Sequence, residues 1–196
     1  MGLSKNTARG TEVVDHAYIP VVASLPTSPV DGQEIIYQSA AMATDGVAWR
    51  FKYRAASSSS YKWEFIGGPA WYAQVLTSET TATIGSWVNL TGTNGPLITA
   101  PLAGDYIAQG QCRTDATTAP TAGYIGITNG DATAFNNAGV TLSAITNVGS
   151  NSQSNRLDGV AAATTIKLRY FIGGGGAASS CAFSNREITV TPIRVG

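Results

Sequence analysis

Apolar and polar positions alternate with a period of two at the clearest point in the chain. In Val47-Ala48-Trp49-Arg50-Phe51-Lys52-Tyr53-Arg54 the odd positions are apolar and the even ones mainly basic, and Tyr61-Lys62-Trp63-Glu64-Phe65 repeats the alternation. Successive strand side chains point to opposite faces. The spacing therefore predicts a hairpin with Trp49, Phe51 and Tyr53 on the same face as Tyr61, Trp63 and Phe65, once the serines at 57–60 reverse the chain. Cross-strand aromatic pairs contribute roughly 0.2–1 kcal/mol each, which suits a hairpin without a thick core. Two registers remain open: Arg50 opposite Glu64 sets Lys52 against Lys62, and Lys52 opposite Glu64 sets Arg54 against Lys62.

Gly67-Gly68-Pro69 marks a boundary. Beyond it, short apolar stretches predict strands near 71–77, 82–90, 96–100, 105–113, 122–128, 139–146, 155–161, 164–172 and 187–195. Turn signals punctuate them at Asn94-Gly95-Pro96, Ala103-Gly104-Asp105, Asn129-Gly130-Asp131, Asp158-Gly159 and the glycines at 173–176. No segment holds a sustained helical period. The fold class is therefore all-β: a small antiparallel β-meander over residues 31–69, then a β-sandwich of jelly-roll type over residues 70–196. Residues 1–30, with Pro20, Pro26 and Pro29, read as an extended arm too poor in apolar residues to fold alone. Its anchors are Val13, Val14, Tyr18, Ile19, Val21 and Val22, spaced to add to a neighbour's sheet edge or groove.

Composition narrows the function. Of the 196 residues 43% are hydrophobic and only 12% charged, with twelve basic residues balancing twelve acidic ones. A chain this neutral has no general attraction for nucleic acid or anionic lipid and little repulsion between copies. No apolar run is long enough to cross a bilayer, and the first ten residues lack a signal-peptide stretch, so synthesis in the cytoplasm is expected. Cys112 and Cys181 read as buried thiols, with a single bridge as the alternative. His16, the one histidine, lies on the arm, and the carboxylates fall mostly in turn contexts, so no catalytic constellation, metal site or cofactor is expected. The glycines at 173–176 read as a hairpin tip, since no Lys-Ser/Thr follows them. Arg50, Lys52, Arg54 and Lys62 form the one basic cluster: a solvated strand face, or a docking face for an acidic neighbour. Trp49, Trp63 and Trp87 read as core, and Trp71 as a brace between the two folded parts.

SLPTSPVDGQEIIYQ followed by VAWRFKYRAASSSSYKWEFIGGP resembles a module of tail-fibre-like and minor structural proteins of phages infecting actinobacteria and related hosts. The resemblance covers about residues 24–70 and rests on Pro29-Val30-Asp31-Gly32-Gln33-Glu34, Trp49, Tyr53, Tyr61-Lys62-Trp63-Glu64-Phe65 and Gly67-Gly68-Pro69. Residues 71–196 more loosely resemble C1q/TNF-like jelly rolls, through Ile98-Thr99-Ala100-Pro101, Ala103-Gly104-Asp105-Tyr106, Leu168-Arg169-Tyr170-Phe171 and Pro192-Ile193-Arg194-Val195. The first resemblance implies a virion structural protein on the particle surface: a tail-tip, fibre or minor tail protein, or a capsid decoration. The second implies a homotrimer. The alternative reading is a receptor-recognition protein for host-surface carbohydrate, with exposed aromatics in the loops at 129–137 and 149–155.

Overall fold

The computed structural model describes residues 18–90, 95–116, 122–130, 148–173 and 180–196. Twelve strands and one short helix are described: β1 (Val21–Val22), β2 (Glu34–Tyr37), α1 (Ala40–Thr44), β3 (Trp49–Tyr53), β4 (Trp63–Gly67), β5 (Trp71–Val75), β6 (Glu79–Thr81), β7 (Leu97–Thr99), β8 (Gly104–Ala116), β9 (Ala122–Asn129), β10 (Val148–Val160), β11 (Thr165–Gly173) and β12 (Cys181–Val195). The fold is all-β, as expected, and forms a sandwich. Its larger sheet runs β1-β2-β3-β4-β12-β8-β10, with β5 and β6 also paired to β12, and its smaller sheet runs β7-β11-β9.

β12 organises the larger sheet. One edge pairs with β8 along most of its length. The other edge takes β6 at Cys181 to Phe183, β5 at Arg186 to Val190 and β4 at Arg194 and Val195. Through that last contact the strands of 31–69 continue the sheet of the sandwich. Their hairpin takes the register with Lys52 opposite Glu64, Phe51 opposite Phe65 and Tyr53 opposite Trp63. The Arg54 amide donates to the Lys62 carbonyl, and Tyr61 lies outside the strand. Helix α1, absent from the expected meander, starts at Ser39, whose hydroxyl caps the Met42 amide, and it buries Met42.

Trp49, Phe51 and Trp63 are buried, and Trp49 packs edge-on against Trp71 of β5 at 6.1 Å and close to Tyr106 of β8 at 6.4 Å. Trp71 donates its indole N–H to Asp45 at 2.7 Å, so it bridges the two segments as a brace. Gly68 makes this closure possible: its φ is +125°, and a Cβ there would lie 2.4 Å from the Ala48 carbonyl oxygen. Between the sheets, Leu168 of β11 packs onto the bare backbone of Gly110 on β8, where a Cβ would lie 2.4 Å from its methyl.

Bulges set which side chains face inward, three of them in β12 and β10, besides a register shift between β3 and β4 at Arg50 and Phe51. In β12 the pairing with β8 shifts between Ser184 and Glu187, with Asn185 at φ +47°. Phe183 points into the core before the bulge, and Arg186, Ile188 and Val190 after it, so Glu187 is placed on the outer face. A second shift between Pro192 and Arg194 reverses the phase again and buries Val195. The third lies at Asp158-Gly159, a bulge inside β10 and not the turn that the dipeptide suggests.

Several boundaries differ from expectation. Residues 82–90 do not form a strand. Gly85, at φ +76°, breaks it, leaving isolated bridges from Ile84 to Ile172 and from Val88 to Tyr170. Trp87 is accordingly half-buried, its ring 5.3 Å from that of Phe171, instead of sitting in the core. Residues 149–155 form strand, not a loop, and carry no aromatic residue. The expected strand at 139–146, the glycines at 174–176 and Asn94 lie outside the described residues.

Candidate interaction surfaces

The charged residues of the larger sheet form a ladder across its outer face. Register places Glu34, Lys52, Glu64, Arg194 and Asp105 side by side on β2, β3, β4, β12 and β8. Lys52 reaches Glu34 at 3.2 Å, Arg50 reaches it at 2.5 Å, and Arg54 pairs with Glu64 at 3.2 Å. These contacts hold the Glu34 carboxyl below the usual carboxylate range, chiefly through the hydrogen bond from Arg50 and then that from Lys52. Lys62 donates to the Ser57 carbonyl. The cluster Arg50, Lys52, Arg54 and Lys62 is therefore threaded with carboxylates. Exposed pairs of this kind contribute about 0–1 kcal/mol each, so the ladder orders the surface more than it stabilises the fold.

Asp105 is the buried node of the ladder. It accepts from Arg194 Nε and from the Gly159 amide, each at 2.9 Å, with Arg156 at 3.9 Å. One carboxylate thus ties together the second bulge of β12 and the bulge of β10.

Part of the arm is already engaged with the body. Val21 and Val22 pair in parallel with Ile36 and Tyr37, the Ile36 amide donates to Pro20 and the Gln38 amide to Val22, both at 2.9 Å. Val22 packs on the core, Ile19 is half-buried, Val21 is 56% exposed and Tyr18 is 85% exposed. Val13, Val14 and His16 lie outside the described residues.

A second outer surface spans β10, β8, β12 and β5, and sequence reasoning missed it. Register aligns Ser152, Gln111, Glu187 and Gln74 in one row and Ser154, Gln109, Thr189 and Tyr72 in the next. Between the rows lies a groove of about 390 Å³. Gln111 donates to Glu187, and the Tyr72 hydroxyl donates to Gln74 at 2.7 Å. Tyr72 is 44% exposed, and desolvation, followed by the charge of Glu187, raises its phenol pKa. The available signal was the alternation itself: Ser150, Ser152 and Ser154 recur at every second position, as do Gln109 and Gln111.

The remaining chemistry-bearing residues have structural partners. Asp31 accepts from the Ala55 amide, Asp158 pairs with Arg156, and Glu79 pairs with the fully buried Arg186. Cys112 and Cys181 are buried free thiols, pushed up by burial to about 11 and about 12. Asp131 and residues 131–137 of the expected binding loop are outside the described residues. Among the described residues no group of three His, Cys, Asp or Glu side chains could hold a metal ion, and no helix is long and apolar enough to cross a membrane.

No known protein family and no curated protein matches the chain. Among solved structures, it is similar to "Structure of infectious bursal disease virus Gx strain" (12% identity, TM-score 0.42, 73% of this chain, 38% of that one). It is also similar to the Gt strain structure of that virus (14%, 0.41, 87% and 40%). A third is "Crystal structure of infectious bursal disease virus VP2 subviral particle" (10%, 0.33, 76% and 47%). The chain spans less than half the length of each of these proteins.

Proposed function

We propose that the protein is a non-enzymatic structural component of a bacteriophage particle, a homotrimeric module displayed on the surface at the tail tip or fibre or as a capsid decoration. The observation that carries this reading is the placement of the segment that resembles phage virion modules. Its strands β2, β3 and β4 extend the sheet of the sandwich through β4 and β12, with β1 at one edge and β10 at the other. The arm at 1–30 therefore joins the body at the edge remote from β10. It attaches the protein to its virion neighbours while the sandwich projects. A formal net charge of zero suits copies packed side by side, and three arms acting together raise avidity without a large interface.

Deleting residues 2–17 tests the reading and leaves the β1 pairing intact. The truncated protein should stay folded, with a light-scattering mass about three times that of its own shortened chain, as the full protein should show three times 20.3 kDa, and should fail to join particles depleted of the native protein. Incorporation equal to that of the full chain would remove the arm as anchor, leaving attachment to the basic face of the meander or to the sandwich itself. A persistent monomer would remove the trimer.

A further inference from the structure

We infer that the groove across β10, β8 and β12, with Tyr72 of β5 beside it, is a binding site for neutral saccharides. Three features of the site point to that ligand class. The side chains that line the groove from the outer face are amides (Gln109, Gln111), hydroxyls (Ser152, Ser154, Thr189) and one carboxylate, Glu187, with the buried Gln153 and Ile188 and the backbone of Gly110 forming its floor. Amides and carboxylates engage neighbouring hydroxyl pairs with two hydrogen bonds at once, and hydroxyls both donate and accept. The groove lining holds no cation, and its single negative charge disfavours acidic sugars. Tyr72, opposite Thr189, closes one end of the row with a partly exposed ring beside these polar groups. Such a ring offers an apolar face to the C–H side of a sugar and a polar tip to its hydroxyls.

The register supplies the geometry. Neighbouring strands lie about 4.8 Å apart, so residues in one row are spaced on the scale of a sugar ring. The first bulge of β12 makes the site, because without the phase change at Asn185 the Glu187 carboxylate would not stand beside Gln111 on the outer face. The groove sits in the sandwich strands, away from the arm, so the inference stands independently of how the protein attaches to a particle.

The test uses the full chain with cellohexaose, mannohexaose and galactohexaose, and heparin as the acidic control, followed by amide chemical-shift changes. At least one neutral oligosaccharide should bind with Kd of about 1 mM or tighter, with shifts confined to Tyr72, Gln74, Gln109, Gln111, Glu187 and their row neighbours. Tyr72→Ala and Glu187→Gln should each weaken binding about tenfold or more without changing the melting temperature. Gln109→Ala, whose side chain contributes to no ion pair, guards against misfolding and should weaken binding in the same direction. Shifts elsewhere, preferential binding of heparin, or no response to any neutral oligosaccharide would overturn the assignment. So would a Tyr72→Ala protein of lower oligomeric mass that binds no sugar, since the face would then be a contact between copies.

Discussion

Replacing Arg186 by methionine should be among the most damaging single changes in the sandwich. The guanidinium is fully buried: its Nη2 lies 2.5 Å from Glu79 and 3.3 Å from the Thr77 carbonyl, and its Nη1 lies 3.3 Å from the Gly95 carbonyl. Its carbon stands 5.8 Å from the centre of the Tyr170 ring. The side chain thus pins β12 to the start of β6 and to the chain entering β7. Methionine preserves length and apolar volume but leaves the Glu79 carboxylate, 14% exposed, without that guanidinium. Breaking one side of a buried pair costs about 3–5 kcal/mol. For a chain of this size that corresponds to a fall in Tm of roughly 6–20 °C. Urea unfolding of Arg186→Met, Glu79→Met and the double variant gives the coupling directly. The double variant should be more stable than Arg186→Met alone, because an apolar pair in the same space carries no buried charge. An Arg186→Met protein within about 1 kcal/mol of the parent would refute this reasoning, because the guanidinium would then have to be hydrated in the folded state.

Trp63→Ala should cost about 3–5 kcal/mol, since the ring is buried with Tyr53 at 5.3 Å; limited proteolysis should then cut within 31–69 before the sandwich. Gly110→Ala should cost about 1–3 kcal/mol by overpacking, because its Cβ would meet the Leu168 methyl with Ile127 behind it; Leu168→Val in the same protein should recover part of the loss in urea melts. Stability should fall at alkaline pH. Burial raises the Cys112 and Cys181 thiols to about 11 and about 12 and raises the Tyr106 and Tyr170 phenols, so these groups ionise first in the unfolded chain. The two thiols add nothing below their ordinary value of about 9, and each then removes up to about 1.4 kcal/mol per pH unit until its folded value is reached. Unfolding curves at neutral and rising alkaline pH should therefore separate, and Cys112→Ala with Cys181→Ala should bring them closer.

Where one face of a strand is apolar and the other polar, the sequence by itself determined the structure. The alternation around Trp49 and Trp63 is enough to define β3 and β4 and their shared aromatic face, and the apolar run at 164–172 defines β11. The same logic failed where inward positions are polar. The first half of β10 turns Asn151 and Gln153 inward, and an amide whose partners lie on other strands, as those of Asn151 do on β8 (Thr114) and on β9 of the facing sheet (Gly123), has no apolar signature. It failed again where a bulge resets the phase. The start of β12 reads as unrelated to Glu187–Ile193 until Asn185 is seen to absorb one extra residue. The hairpin register was open because each choice left one pair of like charges, and only Glu34, brought alongside by β2, makes Lys52 opposite Glu64 the better solution. The polar groove shares that origin. Ser152, Gln109, Glu187 and Tyr72 lie far apart along the chain and carry little information singly; strand pairing across β12 makes them neighbours. Local periodicity is a property of a few residues and is written in the sequence, whereas register, bulge phase and the company kept by a buried polar group are set by contacts between distant strands.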